Sequence, residues 1–283
     1  MEKEDFQAGL ALLGQPALPL VSMVQFLYLT GPFATVAEVV DEMPEPIETG
    51  YALYEHPRDL LRSHLAHLTL LENLKTGEEI QEQVVDESGE LLDSMSAVTA
   101  LVSQRIMEDE LEPINSALCG PCGCTLCCIG PDSAMSQEFF EIPLQDEEAD
   151  LFSTDRHDNP DSRSCRAMDD EVLQLDGAPF YKRPAPELFH WQNGWSLILP
   201  RESSCPGLEE SGRCRVYSAR PQVCRKPQIF SYVLEETGQP DQYRLRSSLL
   251  AVIDCPYVQV LQDEIAAYAA ACELELVLKG NKQ

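Results

Sequence analysis

Five of the chain's eleven cysteines fall within ten residues, Cys119-Gly-Pro-Cys122-Gly-Cys124-Thr-Leu-Cys127-Cys128. Hydrophobic packing has no reason to produce such a density of thiols, and soft metals exploit it. Disulfide frameworks belong to short secreted chains with even, dispersed cysteines, so an odd, clustered set in 283 residues points to metal instead. Familiar thiol patterns fail here. Cys119-Gly-Pro-Cys122 spells a thioredoxin-type dithiol, but that chemistry needs a preceding strand, a following helix and no competing thiols. The run instead follows a helix end and enters three more cysteines. The bacterial ferredoxin spacing breaks at Thr125, and the C-x3-C-x2-C arrangement of radical enzymes using S-adenosylmethionine occurs at no offset.

Further along, Cys205-Pro206-Gly207-Leu208 precedes Cys214-Arg215-Val216-Tyr217-Ser218-Ala219-Arg220-Pro221-Gln222-Val223-Cys224-Arg225. At these residues the chain resembles the YkgJ-type cysteine-cluster family, whose CxxCxxCC domain is named for zinc or iron chelation. The second motif fits the family form C-x-[IV]-Y-x-x-R-P-x-x-C-R at every fixed position, and Cys255-Pro256 stands where the family's last cysteine is expected. The likeness spans roughly residues 119–260. One departure is local: the first thiol of the family pattern would stand at Pro121, so either Cys119 or Cys122 takes that position, while Cys124, Cys127 and Cys128 carry over directly. The resemblance implies an iron–sulfur or zinc site. Through flagellin lysine-methylating relatives it also implies a methyl-transfer role, a link made by motif alone.

Charge supports a metal independently. Four thiolates around zinc or a 4Fe-4S core leave about two net negative charges to be offset. Between Arg201 and Phe230 the chain reverses its usual sign: Arg201, Arg213, Arg215, Arg220, Arg225 and Lys226 face only Glu202, Glu209 and Glu210. Such cations lower thiol pKa values and donate hydrogen bonds to ligating sulfur. Arg220 and Arg225 adjoin the motif and are the candidates for that role. Cys124, Cys127, Cys128, Cys205, Cys214, Cys224 and Cys255, with Cys119 or Cys122, exceed what one tetrahedral ion or one cubane needs, so two sites or spare thiols are expected. Adjacent thiols such as Cys127-Cys128 do not easily turn toward one small ion. An iron–sulfur cluster, 4Fe-4S by preference, is therefore favoured over zinc, although both accept all-thiolate coordination.

The remaining texture predicts an α+β chain: an acidic helical region over residues 1–118, then a cysteine-cluster metal-binding domain over 119–283 with short antiparallel strands and a C-terminal helix. Residues 1–118 carry 22 acids against five bases. Leu60, Leu61, Leu65, Leu68, Leu71 and Leu74 recur at helical spacing between Pro57 and Gly77, and Leu91, Met95, Val98, Val102 and Ile106 define a second helix. Asn193-Gly194 predicts a hairpin, Phe230 to Leu234 and Tyr243 to Val252 a strand pair, and Val258, Leu261, Ile265, Tyr268 and Cys272 a final helix with Gly280 past its end. Residues 145–187 read as an acidic surface insertion.

Partners follow from charge. A net charge of −28 repels phosphate backbones and anionic lipid, which argues against nucleic acid and membrane surfaces. The acidic helical region is either a solvated face or a surface for a protein partner. The start, Met1-Glu2-Lys3-Glu4-Asp5, lacks a signal peptide's basic flank, and Pro19, Ser22 and Gln25 interrupt the best apolar run, short of the ~20 residues of a span. A cytoplasmic location with reduced thiols is expected. The expected activity is metal binding with redox or protein-modifying chemistry; a structural zinc or metal-carrier protein without catalysis is the alternative. His64 and Cys272 read as core residues, and no nucleophile elbow, phosphate-binding glycine loop, HExxH helix or dinucleotide fingerprint is present.

Overall fold

The computed structural model describes residues 2–169 and 172–280, a mixed arrangement of helices and sheets consistent with α+β. By internal contacts the chain divides into two units, residues 2–122 with 228–280 and residues 123–227. Composition placed the change of texture at residue 119 and kept the C-terminal segment with the cysteines. Contacts instead return that segment to the first unit, because its strands pair with one another and with Gln83–Val85.

The first unit combines helices with a mixed sheet. Strand Gln242–Val252 pairs antiparallel with Ile229–Glu236 and, on its other edge, parallel with Gln83–Val85 and Glu275–Lys279. The long helix Ser94–Cys122 packs against this sheet and buries Val98, Leu101, Val102, Ile106, Leu111, Ile114 and Leu118. That apolar stripe runs past Pro113, so the helix continues to Cys122, whereas the sequence reading ended it before Cys119. Leu91 and Met95 remain exposed, Leu91 lying before the helix begins.

Two other helical expectations need correction. The leucine-rich stretch is not one helix but four short pieces, Pro57–Ser63, Leu65–Leu68, Thr69–Glu72 and Asn73–Thr76, ended as expected at Gly77. It buries Leu61, Leu68 and Leu71. The final helical segment stops at Ala271, and Glu275–Lys279 becomes a strand because the apolar run Leu276, Val277 and Leu278 pairs with Leu249–Ala251. Its predicted stripe of Val258, Leu261, Ile265, Tyr268 and Cys272 is buried throughout. Among the described residues, Lys3–Thr30 is the one helical run long and apolar enough to cross a membrane, with a mean hydropathy of 1.6 in its best window. This corrects the expectation that no window qualifies. The run is interrupted at residues 14–17, and Leu20, Val21, Val24 and Tyr28 are buried within the unit.

The second unit is built on a sheet in the order Phe139–Leu144, Gly194–Pro200, Glu187–Trp191, Arg156–His157. The anticipated hairpin is present, with Gln192 and Asn193 between the paired residues Trp191 and Gly194. Alternation of side chains gives the sheet two apolar faces. Leu188, Leu197 and Leu199 point to one with Ile142, Leu144, Ala149 and Phe152; Phe189, Trp191 and Ile198 point to the other with Ala167 and Phe180. The stretch 145–187 is therefore not merely a surface insertion, since Ala149, Phe152, Ala167 and Phe180 complete both cores. Residues 170 and 171 of that stretch lie outside the described residues.

Candidate metal centre

The thiol-bearing loops of the second unit pack on the sheet face formed by Leu188, Leu197 and Leu199, against which Cys205, Val216 and Cys224 rest. A short backbone ladder brings the first two segments together: Cys205 N–H donates to Cys128 C=O at 2.8 Å, Gly130 N–H donates to Ser203 C=O at 2.8 Å, and Ile129 pairs with Ser204. Gly130 must be glycine, because a Cβ there would stand 1.9 Å from the carbonyl oxygen of Pro200. From Cys205 the chain doubles back so that Leu208 pairs with Cys214, and Arg215 N–H donates to Gly207 C=O at 2.7 Å. The Gly207 N–H donates to Cys205 Sγ at 3.4 Å. Cys224 rides on the short helix Gln222–Arg225, whose start is pinned by Gln222 N–H donating to the Glu148 carboxylate at 2.7 Å.

These folds gather Cys127, Cys128, Cys205, Cys214 and Cys224 closely enough that the Cys128, Cys205 and Cys224 thiols respond to their neighbours' charge. Contact with Cys127 holds the Cys128 thiol well above its ordinary range, reinforced by burial and by Cys205 and Cys224. Burial raises Cys205, with the Gly207 and Leu208 N–H groups opposing. Burial pushes Cys224 up to about 12, followed by the charges of Cys127, Cys205 and Cys214, while Arg220 pulls the other way. Crowded thiols resist becoming thiolates together unless a cation offsets their charge, and metal binding supplies that cation while releasing the protons. The donor set thus suits a thiophilic metal.

Arg220 is buried, and its guanidinium lies 3.8 Å from the Tyr217 ring centroid, fixed there by cation–π attraction. Its charge acts on the Cys224 thiol against the effect of burial. Arg225 ends the helix that carries Cys224. Arg201 turns elsewhere, donating to the carbonyls of Asp132 at 2.6 Å and Met135 at 2.9 Å. The sequence reading gave no role to Glu148 or Gly130. Each acts through a backbone contact with a residue far away in sequence, which leaves no local signal.

In the first unit, Cys119 and Cys122 occupy the last turn of the long helix, and Gly123, at φ 59°, takes the left-handed conformation that ends it. Cys255 is fully buried just before the helix Pro256–Val260. The Sγ atoms of Cys122 and Cys255 lie within 4.8 Å of each other. All eleven cysteines are among the described residues, and no disulfide joins any of them.

His64 is buried, and desolvation lowers its pKa; His67 contacts Asp109 at 2.7 Å. Cys165 shares the second apolar cluster of its sheet and donates to Asp161 C=O at 3.4 Å. No family model matches the chain, and no curated protein or solved structure matches it.

Proposed function

We propose that this chain is a metal-binding protein whose second unit holds an iron–sulfur cluster, 4Fe-4S by preference, or zinc, as the resemblance to the YkgJ-type family implies. The observation that carries the reading is the gathering of Cys127, Cys128, Cys205, Cys214 and Cys224, from segments up to nearly a hundred residues apart, with Cys205 and Cys224 resting on one sheet face and the buried cation Arg220 acting on Cys224. Packing alone would fill that space with aliphatic side chains. Among the described residues, the group of ligating atoms that closes to within 4.8 Å is not drawn from these five. That no three of them lie within 4.8 Å of one another favours a cluster of several atoms over a single ion, for which sulfurs sit about 3.8 Å apart around zinc.

In this reading the five thiols supply the ligands, Arg220 offsets their charge, and Arg225 donates toward sulfur. A cluster would supply electron transfer or support modification of a protein side chain; zinc would supply structure or a carried ion. The acidic helical region is the surface offered to a protein partner, and a reducing, cytoplasmic compartment would keep the thiols available. Anaerobic purification followed by a visible spectrum and metal analysis tests the proposal. Broad visible absorption that bleaches with dithionite identifies the cluster. A colourless protein containing zinc identifies the structural or carrier alternative, and a protein that takes up neither metal overturns both.

A further inference from the structure

We propose that the open edge of strand Glu275–Lys279 is a self-complementary docking surface, on which a second copy of this chain pairs antiparallel about a two-fold axis at Val277. One edge of this strand pairs parallel with Ser248–Val252, and among the described residues no strand pairs with the other. Its five residues are all at least partly exposed, Leu278 at 43%, although Leu249 and Ala251 on the strand beside it are fully buried. Such an edge presents unpaired backbone groups to any strand that matches them.

Backbone alternation identifies those groups. Ile253 N–H donates to Lys279 C=O at 2.9 Å, so Lys279 turns its carbonyl toward the neighbouring strand, and Glu275 and Val277 share that direction. Leu276 and Leu278 therefore direct their N–H and C=O groups to the open side. An antiparallel register centred on Val277 sets Leu276 of each copy opposite Leu278 of the other, and each such pair exchanges two hydrogen bonds. The same register sets Glu275 opposite Lys279 at both ends. Moving to the next antiparallel register that keeps the bonding pattern, in either direction, sets one of these charges opposite Val277 and leaves fewer bonding residues paired. Parallel pairing in register sets Glu275 on Glu275 and Lys279 on Lys279, which repel. Charges on an edge strand ordinarily keep other strands away. Here they carry opposite signs at the two ends of an apolar run, so they repel a parallel copy and attract an antiparallel one, and the two-fold closes the pair as a dimer. Lys279 Nζ stands 5.4 Å from the Tyr232 ring centroid of its own chain, and the residue remains exposed to a carboxylate arriving at the edge. Each copy carries a net charge of −28, but charges more than about 8 Å apart are largely screened at about 0.15 M salt, so the local pairs decide the contact.

The test follows the full chain, kept reduced so that no disulfide joins two copies, by sedimentation velocity from about 1 to about 200 μM in about 0.15 M salt. The interface is small, so association should be reversible and rise with concentration. Lys279→Glu and Glu275→Lys should each weaken it about tenfold, because each sets like charges opposite one another at both ends. Carrying both exchanges in one chain, or mixing the two single variants in equal amounts, restores the match and should return association to within about threefold of the unaltered chain. Leu278→Pro removes an outward N–H without touching the bonds to Ser248–Val252 and should abolish association. A chain that stays monomeric throughout overturns the proposal. A dimer indifferent to the single exchanges shows that copies meet on another face, and one that neither the double exchange nor the mixture restores overturns the register. Because the first measurement uses the unaltered chain and the charge exchanges lie at exposed positions, misfolding of Leu278→Pro does not blunt the test.

Discussion

The side chain of Asn115 pairs with both backbone groups of Ile229, donating to its carbonyl at 2.8 Å and accepting from its N–H at 3.0 Å. An amide on a helix thus stands in for a neighbouring strand at the start of Ile229–Glu236. Tyr257 O–H also donates to the Asn115 carbonyl oxygen at 2.8 Å, and all of these groups are buried. Leaving a buried donor or acceptor unsatisfied costs about 1–3 kcal/mol. Asn115→Ala, which strands both Ile229 groups, is expected to lower unfolding free energy by about 3 kcal/mol, read as a shift in the denaturant midpoint.

Glu110 gives the first unit a pH dependence. Its carboxyl accepts from Tyr268 O–H at 2.7 Å and from Ala17 N–H at 3.0 Å, but burial outweighs these bonds and raises its pKa from 4.5 to about 7. The folded chain therefore holds this proton more tightly than the unfolded chain does. Stability contributed by the protonated form is complete below the unfolded value of 4.5 and is lost as pH rises toward 7, by about 3 kcal/mol in total. Glu110→Gln should flatten the stability profile over that window and exceed the unaltered chain above it. Urea titrations at several pH values would measure this, and an unchanged slope would show that Glu110 does not titrate there.

Gly130 tests the backbone ladder beside the thiols. A methyl group at this position meets backbone rather than a movable side chain. Gly130→Ala is expected to separate Cys128 from Cys205 and to reduce metal bound by the second unit several-fold, measured as metal per chain. Overpacking of this kind costs about 1–3 kcal/mol or more.

Thiol substitutions distinguish ligands from packing. Cys127→Ser and Cys224→Ser should each release metal from the second unit and destabilise it, because metal affinity is folding free energy in such sites. Cys272→Ser should leave metal content unchanged. Cys272 lies buried in the first unit, where Tyr268 lies beside it and burial raises its thiol well above its ordinary range, so this change should appear only as a lower melting temperature. Full metal retention in the first two variants would remove those residues from the ligand set.

Short-range features were legible in the sequence. The hairpin at residues 192–193, the strand pair of 229–236 and 242–252, and the stripe of the final helix all follow from spacing within a dozen or so residues. The thiol runs at 119–128 and 205–224 stood out because local density and fixed spacing are themselves the signal. Other features depended on groups brought together from far apart. Val277 reads as the continuation of a helix until Leu250 is available to pair with it. Asn115, Glu148 and Gly130 look unremarkable until Ile229, Gln222 and Pro200 reach them. The partition of the cysteines is of the same kind: the sequence by itself determined that thiols are abundant and clustered and where the cations lie, while only the tertiary structure decided that Cys255 meets Cys122 and that Cys224 joins Cys127, Cys205 and Cys214. The physical reason is that spacing along the chain fixes local conformation, whereas long-range contacts are selected by burial and backbone pairing, which no single segment encodes.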